Sequence, residues 1–411
     1  MKKTVLFKNI RMILTLSGVR KKGGRHVTEE DLGIIQNAAL VAEDGIISWI
    51  GPRKSLPKTY LKIKKIIDLK KQTLLPGFVE CHTHTVFSGS RAEEFELRNQ
   101  GVSYQEIAAR GGGILSTMKN TRESSARELQ NLSQARVNRF LRQGVTTLEM
   151  KTGYALDFEH ELKCLKVMKT LGPIRIVPTY LGAHALPPEF KSTQGYLDFI
   201  LKKVLPEIKK KKLAKRVDIF IEKSFFDATL AKKYLSTVKD LGFDIVIHAD
   251  QLSLSGGADV ATELQALSAD HLIQIQDSEI KKLAKSKTTC VLLPAADLYM
   301  DCAYPPARKL LEAGARVALA TDFNPGSSPT QDLNLVGLLA RIKMKMTLPE
   351  VIAAYTFNAA CALGLENEIG SLEVGKSADF MGIKGNWQEL FYSIGVSQAS
   401  SVYFSGQQIS E

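Results

Sequence analysis

Eight apolar, strand-like runs separated by helical stretches constrain this chain more than any other feature in it. The first opens at Phe78; the others are Thr146 to Lys151, Ile174 to Leu181, Val217 to Phe225, Asp244 to Ala249, Ser268 to His271, Thr289 to Pro294 and Val317 to Asp322. Helical patterns lie between them, such as Ser124 to Gln143, Glu159 to Thr170, Gly195 to Lys212, Leu230 to Leu241, Ala258 to Leu267 and Ser278 to Lys285. Strands buried on both faces read as continuous apolar runs, and parallel neighbours need long crossovers. Eight such units predict a TIM-type (β/α)8 barrel, in which working residues come from the carboxyl ends of the strands. An open doubly wound sheet is the alternative built from the same elements.

The barrel region, residues 75–364, is flanked by segments of another character. In residues 1–74 the strand-like runs are short: Thr4 to Phe7, Arg11 to Thr15, Asn37 to Val41, and Ile46 to Ile50 after the hairpin signal Asp44-Gly45. In residues 365–411 come Gly370 to Val374, Ala378 to Ile383 and Ser401 to Phe404, so the two flanks are expected to form one small composite β-domain. A formal charge of +12 invites a nucleic-acid reading, but the lysines are scattered and the densest run, Lys209 to Lys212, lies in a predicted helix. No nucleic acid is expected; a positive field suits a small anionic substrate. No run approaches the roughly 18 apolar residues of a membrane span. Lys8 and Arg11 interrupt the apolar stretch after Met1-Lys2-Lys3, which reads as a first strand and not as a signal peptide. Five cysteines with no C-x-x-C suit reduced thiols in a cytoplasmic enzyme.

The polar residues at the strand ends carry the chemistry. His82 and His84 follow Phe78-Val79-Glu80-Cys81, and on a strand alternate side chains share a face, so both imidazoles point one way. His248 ends the fifth run and Asp322 the eighth. Three imidazoles and one carboxylate can hold zinc or iron while leaving a position open for water. The competing role for Asp322 is a cap for the turn after Asn324-Pro325-Gly326. His271, ending the sixth run, is a candidate acid or carbonyl polariser, against the alternative of a satisfied core histidine. His184 follows the third run and suits a pocket role; Asp250 reads as structural support, and His26 and His160 as surface residues.

Pro76-Gly77-Phe78-Val79-Glu80-Cys81-His82-Thr83-His84 resembles the opening signature of the amidohydrolase superfamily. Phe87 to Phe95, Gly111-Gly112-Gly113-Ile114, Lys151-Thr152-Gly153-Tyr154, His248-Ala249-Asp250-Gln251 and Thr321 to Ser327 resemble, more narrowly, its imidazolonepropionase family. The resemblance spans about residues 75 to 360. It implies hydrolysis of the cyclic amide C–N bond of 4-imidazolone-5-propanoate to N-formimidoyl-L-glutamate, the third step of L-histidine degradation. It also implies one divalent or trivalent transition metal, zinc or iron, on His82, His84, His248 and Asp322, with Asp322 moving the water's proton and His271 polarising the carbonyl. Gln251 matches a position that carries Glu or Gln in the family; as an amide it orients the ring and cannot be a base. Arg91, Tyr154, His184, Asn324, Gly326 and Ser327 correspond to substrate contacts, with Arg91 on the propanoate carboxylate. The competing expectation pairs Arg91 with Glu93 or Glu94. A homodimer is expected.

Three other readings use the same residues. A purine or pyrimidine deaminase would differ only in its pocket. A two-metal cyclic-imide hydrolase would need a bridging carboxylated lysine on the fourth strand, for which Lys223 stands available. A catalytically dead scaffold has no physical need for converging imidazoles.

Overall fold

Val145–Lys151 is buried at every position, the burial a central strand of a closed parallel sheet requires. In the computed structural model, which describes residues 3–102, 106 and 112–410, it is the second of eight parallel strands. These are Phe78–Glu80, Val145–Lys151, Arg175–Ala183, Arg216–Ile221, Asp244–Ala249, Ser268–His271, Thr289–Leu292 and Val317–Leu319, paired in sequence order. The barrel closes just beyond the strands. Thr83 forms a parallel bridge with Phe323, the Asp322 N–H donates to the His82 carbonyl at 3.1 Å, and the His84 N–H donates to the Phe323 carbonyl at 2.9 Å. The bonds that close the barrel therefore set His82, His84 and Asp322 side by side.

Three ladders are shorter than their apolar runs. The fourth ends at Ile221, the seventh at Leu292 and the eighth at Leu319; beyond the eighth, Asp322 takes φ 53°. Helices cover the outside. Ala126–Arg142 starts at a capping box between Ser125 and Glu128, and Phe158–Met168 starts at Asp157, whose side chain accepts from the His160 N–H. Among the described residues no helix is long and apolar enough to cross a membrane.

The flanks form a separate eight-stranded sheet. Its spine is Thr4–Leu14, antiparallel to Ile34–Glu43 and parallel to Lys65–Asp68 and Thr73–Pro76. Thr73–Pro76 in turn pairs antiparallel with Phe380–Ile383, followed by Ala399–Phe404 and Gln407–Ser410. Phe7, Phe380 and Tyr403 form its aromatic core, with ring centroids 5.0, 5.3 and 4.6 Å apart.

Further details differ from the sequence reading. Thr4 to Phe7 and Arg11 to Thr15 are one strand bent by an irregularity between Phe7 and Ile10, where Asn9 takes φ 55°. Gly370 to Val374 makes no strand, since Gly370 at φ 84° turns the chain. Leu75-Pro76 belongs to the flanking sheet, not the barrel, and Gly77 makes the crossing: a Cβ there would lie 2.3 Å from the Thr146 side chain. The hairpin at Asp44-Gly45 forms as expected, with φ of 51° and 84°.

Candidate active site

Five buried side chains meet at the carboxyl end of the barrel: His82, His84, His248, His271 and Asp322. The His82 ring centroid lies 5.4, 4.6 and 5.6 Å from those of His84, His248 and His271. Asp322 Oδ1 sits 3.3 Å from His82 Nε2 and 3.4 Å from His84 Nε2. One donor atom from each of His82, His84 and Asp322, and likewise from His82, His248 and His271, falls within 4.8 Å of its group partners. His271 and Asp322 both hold left-handed backbone, φ 76° and 53°. Such conformations cost non-glycine residues about 1–3 kcal/mol and concentrate at functional sites.

A layer of charge beneath fixes two of the imidazoles. Asp270 Oδ2 lies 2.6 Å from His82 Nδ1, and Asp218 Oδ2 lies 3.0 Å from His248 Nδ1. A carboxylate on Nδ1 holds the proton there and leaves Nε2 as a lone-pair donor. Lys151 joins the two acids at 2.8 Å from Asp218 and 3.6 Å from Asp270, and pairs with Glu149 at 3.0 Å, every side chain at most 1% exposed. In the metal-free protein burial and Lys151 pull the His82 pKa down, but Asp270 outweighs them and it stands at about 9, so a metal on Nε2 would take the place of a proton there. Burial brings His84 down to about 4 and holds His271 well below the usual histidine range. Burial disfavours the charge on Asp322, yet the His82 and His84 imidazoles beside it hold its carboxyl well below the usual carboxylate range.

His82 Nε2, His248 Nε2, His84 Nδ1 and His271 Nδ1 are buried without hydrogen-bond partners. Orphaned buried polar atoms are rare and call for a partner. Converging imidazole nitrogens beside an ionised carboxylate are the donor set of zinc or iron, so the residues fit a transition metal.

A cavity of about 570 Å³ opens above the cluster, with His84, His248, His271 and Asp322 in its lining. Arg91, Tyr154, His184, Gln251, Asn324, Gly326 and Ser327 line it as well, so every sequence-nominated residue except the deeper His82 faces one space. Arg91 does pair with Glu94, Nε to Oε2 at 2.7 Å, yet its guanidinium also lies against Gly326, where a Cβ would come within 2.0 Å of it. Asn324 organises that loop: Oδ1 accepts the Gly326 and Ser327 N–H groups at 2.8 Å each, and Nδ2 donates to the Asp322 carbonyl at 2.7 Å. His184 Nδ1 sits 3.0 Å from the Gly153 carbonyl, and its ring stacks on His84 at 5.3 Å. Gln251 Nε2 donates to Met300 Sδ at 3.8 Å. Asp250 accepts the N–H groups of Ser255, Gly256 and Ala258, the structural role read for it. His26 is exposed and His160 pairs with Asp157, both outside the cavity. Lys223 is exposed beyond the fourth strand, which removes the bridging lysine of the two-metal reading. Gly111 lies outside the described residues.

Sequence reasoning missed the acids behind the lining. Glu149, Asp218 and Asp270 stand inside apolar strand runs, and a charge buried in such a run must be paired; that was the available signal. Glu161 accepts the N–H groups of Gly153, Ala155 and Leu156, fixing the Tyr154 loop, and Glu222 does the same for Leu252 and Ser253. Near the cluster, burial and then the charge of Asp322 push the Asp297 carboxyl up to about 8.

The Amidohydrolase family model matches residues 200–407. Among solved structures, an adenosine deaminase from Xanthomonas campestris with bound zinc superposes with a TM-score of 0.72 at 17% identity, covering 98% of this chain and 92% of that one. Zinc-complexed atrazine chlorohydrolase from Arthrobacter aurescens TC1 gives 0.69 at 15%, covering 98% and 94%. Barrel, site and family model define the class, an amidohydrolase-type hydrolase. The imidazolonepropionase of Bdellovibrio bacteriovorus is 59% identical over 407 residues, covering 98% of this chain and 96% of that protein. That of Clostridium tetani is 40% identical over 411 residues, covering 98% of each. The chain belongs to the imidazolonepropionase family of amidohydrolases.

Proposed function

We propose that this chain hydrolyses the ring C–N bond of 4-imidazolone-5-propanoate to N-formimidoyl-L-glutamate, the third step of L-histidine degradation. One juxtaposition carries the reading: Arg91 and the imidazole–carboxylate cluster line the same cavity, so a small anion held by its carboxylate presents its ring to the cluster. The name of the full-length relatives supports the same reading.

In this reading His82, His84, His248 and Asp322 hold one transition metal, zinc or iron. When bound, that ion supplies a Lewis acid and brings the pKa of water toward about 7. Arg91 anchors the propanoate carboxylate with a guanidinium fork. Tyr154, His184 and the Asn324–Ser327 loop confine the ring, and Gln251 orients it. As water adds to the ring carbonyl carbon, Asp322 takes its proton and returns it to the ring nitrogen when the C–N bond breaks. His271 polarises the carbonyl oxygen. A homodimer in the cytoplasm completes the proposal; the five cysteines form no disulfide.

The test is a direct assay in which loss of the imidazolone ring and appearance of N-formimidoyl-L-glutamate are followed together. Turnover dependent on the metal is expected. A metal-loaded protein that leaves this substrate intact and releases ammonia from a purine or pyrimidine base would overturn the reading.

A further inference from the structure

Glu94 touches two walls of the cavity at once. It stands in the first turn of helix Ala92–Asn99, and its Oε2 accepts from Arg91 Nε at 2.7 Å. Its other oxygen, Oε1, accepts the Gly113 N–H at 2.9 Å. Gly113 caps helix Ile114–Glu123 with φ 75° and ψ −144°, near a region essentially reserved for glycine. Arg91, Ile114 and Gly326 all line the cavity.

The geometry has a consequence for the guanidinium. A carboxylate on Nε fixes the plane of the fork and turns its Nη1–Nη2 end away, here toward Gly326. A glutamate held by one contact would keep its rotamer freedom, and the Gly113 N–H removes it. As a stability device a mostly buried i,i+3 pair gains little net, because desolvating both charges offsets their attraction; these side chains are 8% and 15% exposed. As a device for preorganising a cation it contributes more, because the ordering is complete before substrate arrives.

We propose that Glu94 is a positioning residue for substrate selection, aligning Arg91 with the substrate's carboxylate and tying that alignment to the start of helix Ile114–Glu123. The proposal rests on the reading that Arg91 takes the carboxylate. It is tested with Glu94→Leu, Glu94→Gln and Arg91→Met, each assayed on imidazolonepropanoate and on its side-chain carboxamide, alongside thermal unfolding. In Glu94→Leu the KM for the carboxylate substrate should rise about tenfold, more than kcat falls, while the carboxamide is handled as by the wild type. Glu94→Gln keeps the volume and one acceptor and should fall between the two; it carries the comparison alone if Glu94→Leu does not fold. Loss of discrimination in Arg91→Met with full discrimination in both Glu94 variants would overturn the proposal and leave the Arg91 reading standing. Unchanged discrimination in Arg91→Met would overturn both.

Discussion

Arg91, Asp322 and Asp297 are ionisable groups whose surroundings set their protonation and their task. A lost charge-assisted hydrogen bond costs about 1.5–3 kcal/mol, so Arg91→Met should lower kcat/KM roughly 10- to 150-fold and leave metal content intact, as steady-state kinetics and metal analysis will show. On the proposed mechanism, Asp322→Asn removes a metal donor and a proton carrier together. Its turnover should fall by about 10²–10⁴-fold or more, whereas Gln251→Glu should stay measurably active; near-equal losses would show the proton path misassigned. Asp297 supplies a pH test. Its folded pKa, about 8, lies above that of the unfolded chain. Between those values unfolding releases a proton, so its contribution to stability is present at acid pH and lost as pH rises toward 8. In metal-free protein, Asp297→Asn should therefore gain on the wild type by at most about 1.4 kcal/mol per pH unit over pH 5 to 8. Parallel stability curves would contradict this. The residues named first in the sequence were those that end apolar runs, such as His248 and Asp322, because a polar tip there has no packing role. Glu94 was visible only as one of two acids near Arg91, since nothing in spacing tells which carboxylate a long side chain will meet.

The barrel strands were readable because parallel strands bury both faces. Asp244–Ala249 and Ser268–His271 carry the same bounds in sequence and structure. The irregularity at Asn9 interrupts the alternation of Thr4–Leu14, so the sequence alone divides it in two, and Lys65–Asp68 gives no strand signal because it is four residues long and mostly exposed. The cross-strand network of Lys151, Glu149, Asp218 and Asp270 was also hidden, for it joins three strands far apart in the chain. It has a measurable consequence. Asp270→Ala deprives His82 of its Nδ1 partner and should weaken metal affinity roughly 10- to 100-fold, read by chelator competition. Unchanged affinity would mean that the barrel backbone alone orients His82.

Taken as a molecule, the barrel, its helices and one face of the flanking sheet share a large apolar core running from Met12 through Phe140 and Ile247 to Val402, which owes nothing to a metal. Chelation should thus abolish turnover while leaving a cooperative unfolding transition, in contrast to small domains folded by their metal. The separate sheet, with its own aromatic core of Phe7, Phe380 and Tyr403, adds stability without approaching the cavity. The central claim is that one metal, held by His82, His84, His248 and Asp322, makes this chain an imidazolonepropanoate hydrolase. It is tested most directly by titrating metal-free protein with zinc or ferrous ion while N-formimidoyl-L-glutamate formation is followed in the same samples. Turnover should rise linearly and stop at about one ion per chain, and His248→Ala should show neither tight binding nor turnover. Full activity before any metal is added, or a saturated site with no product, would contradict it.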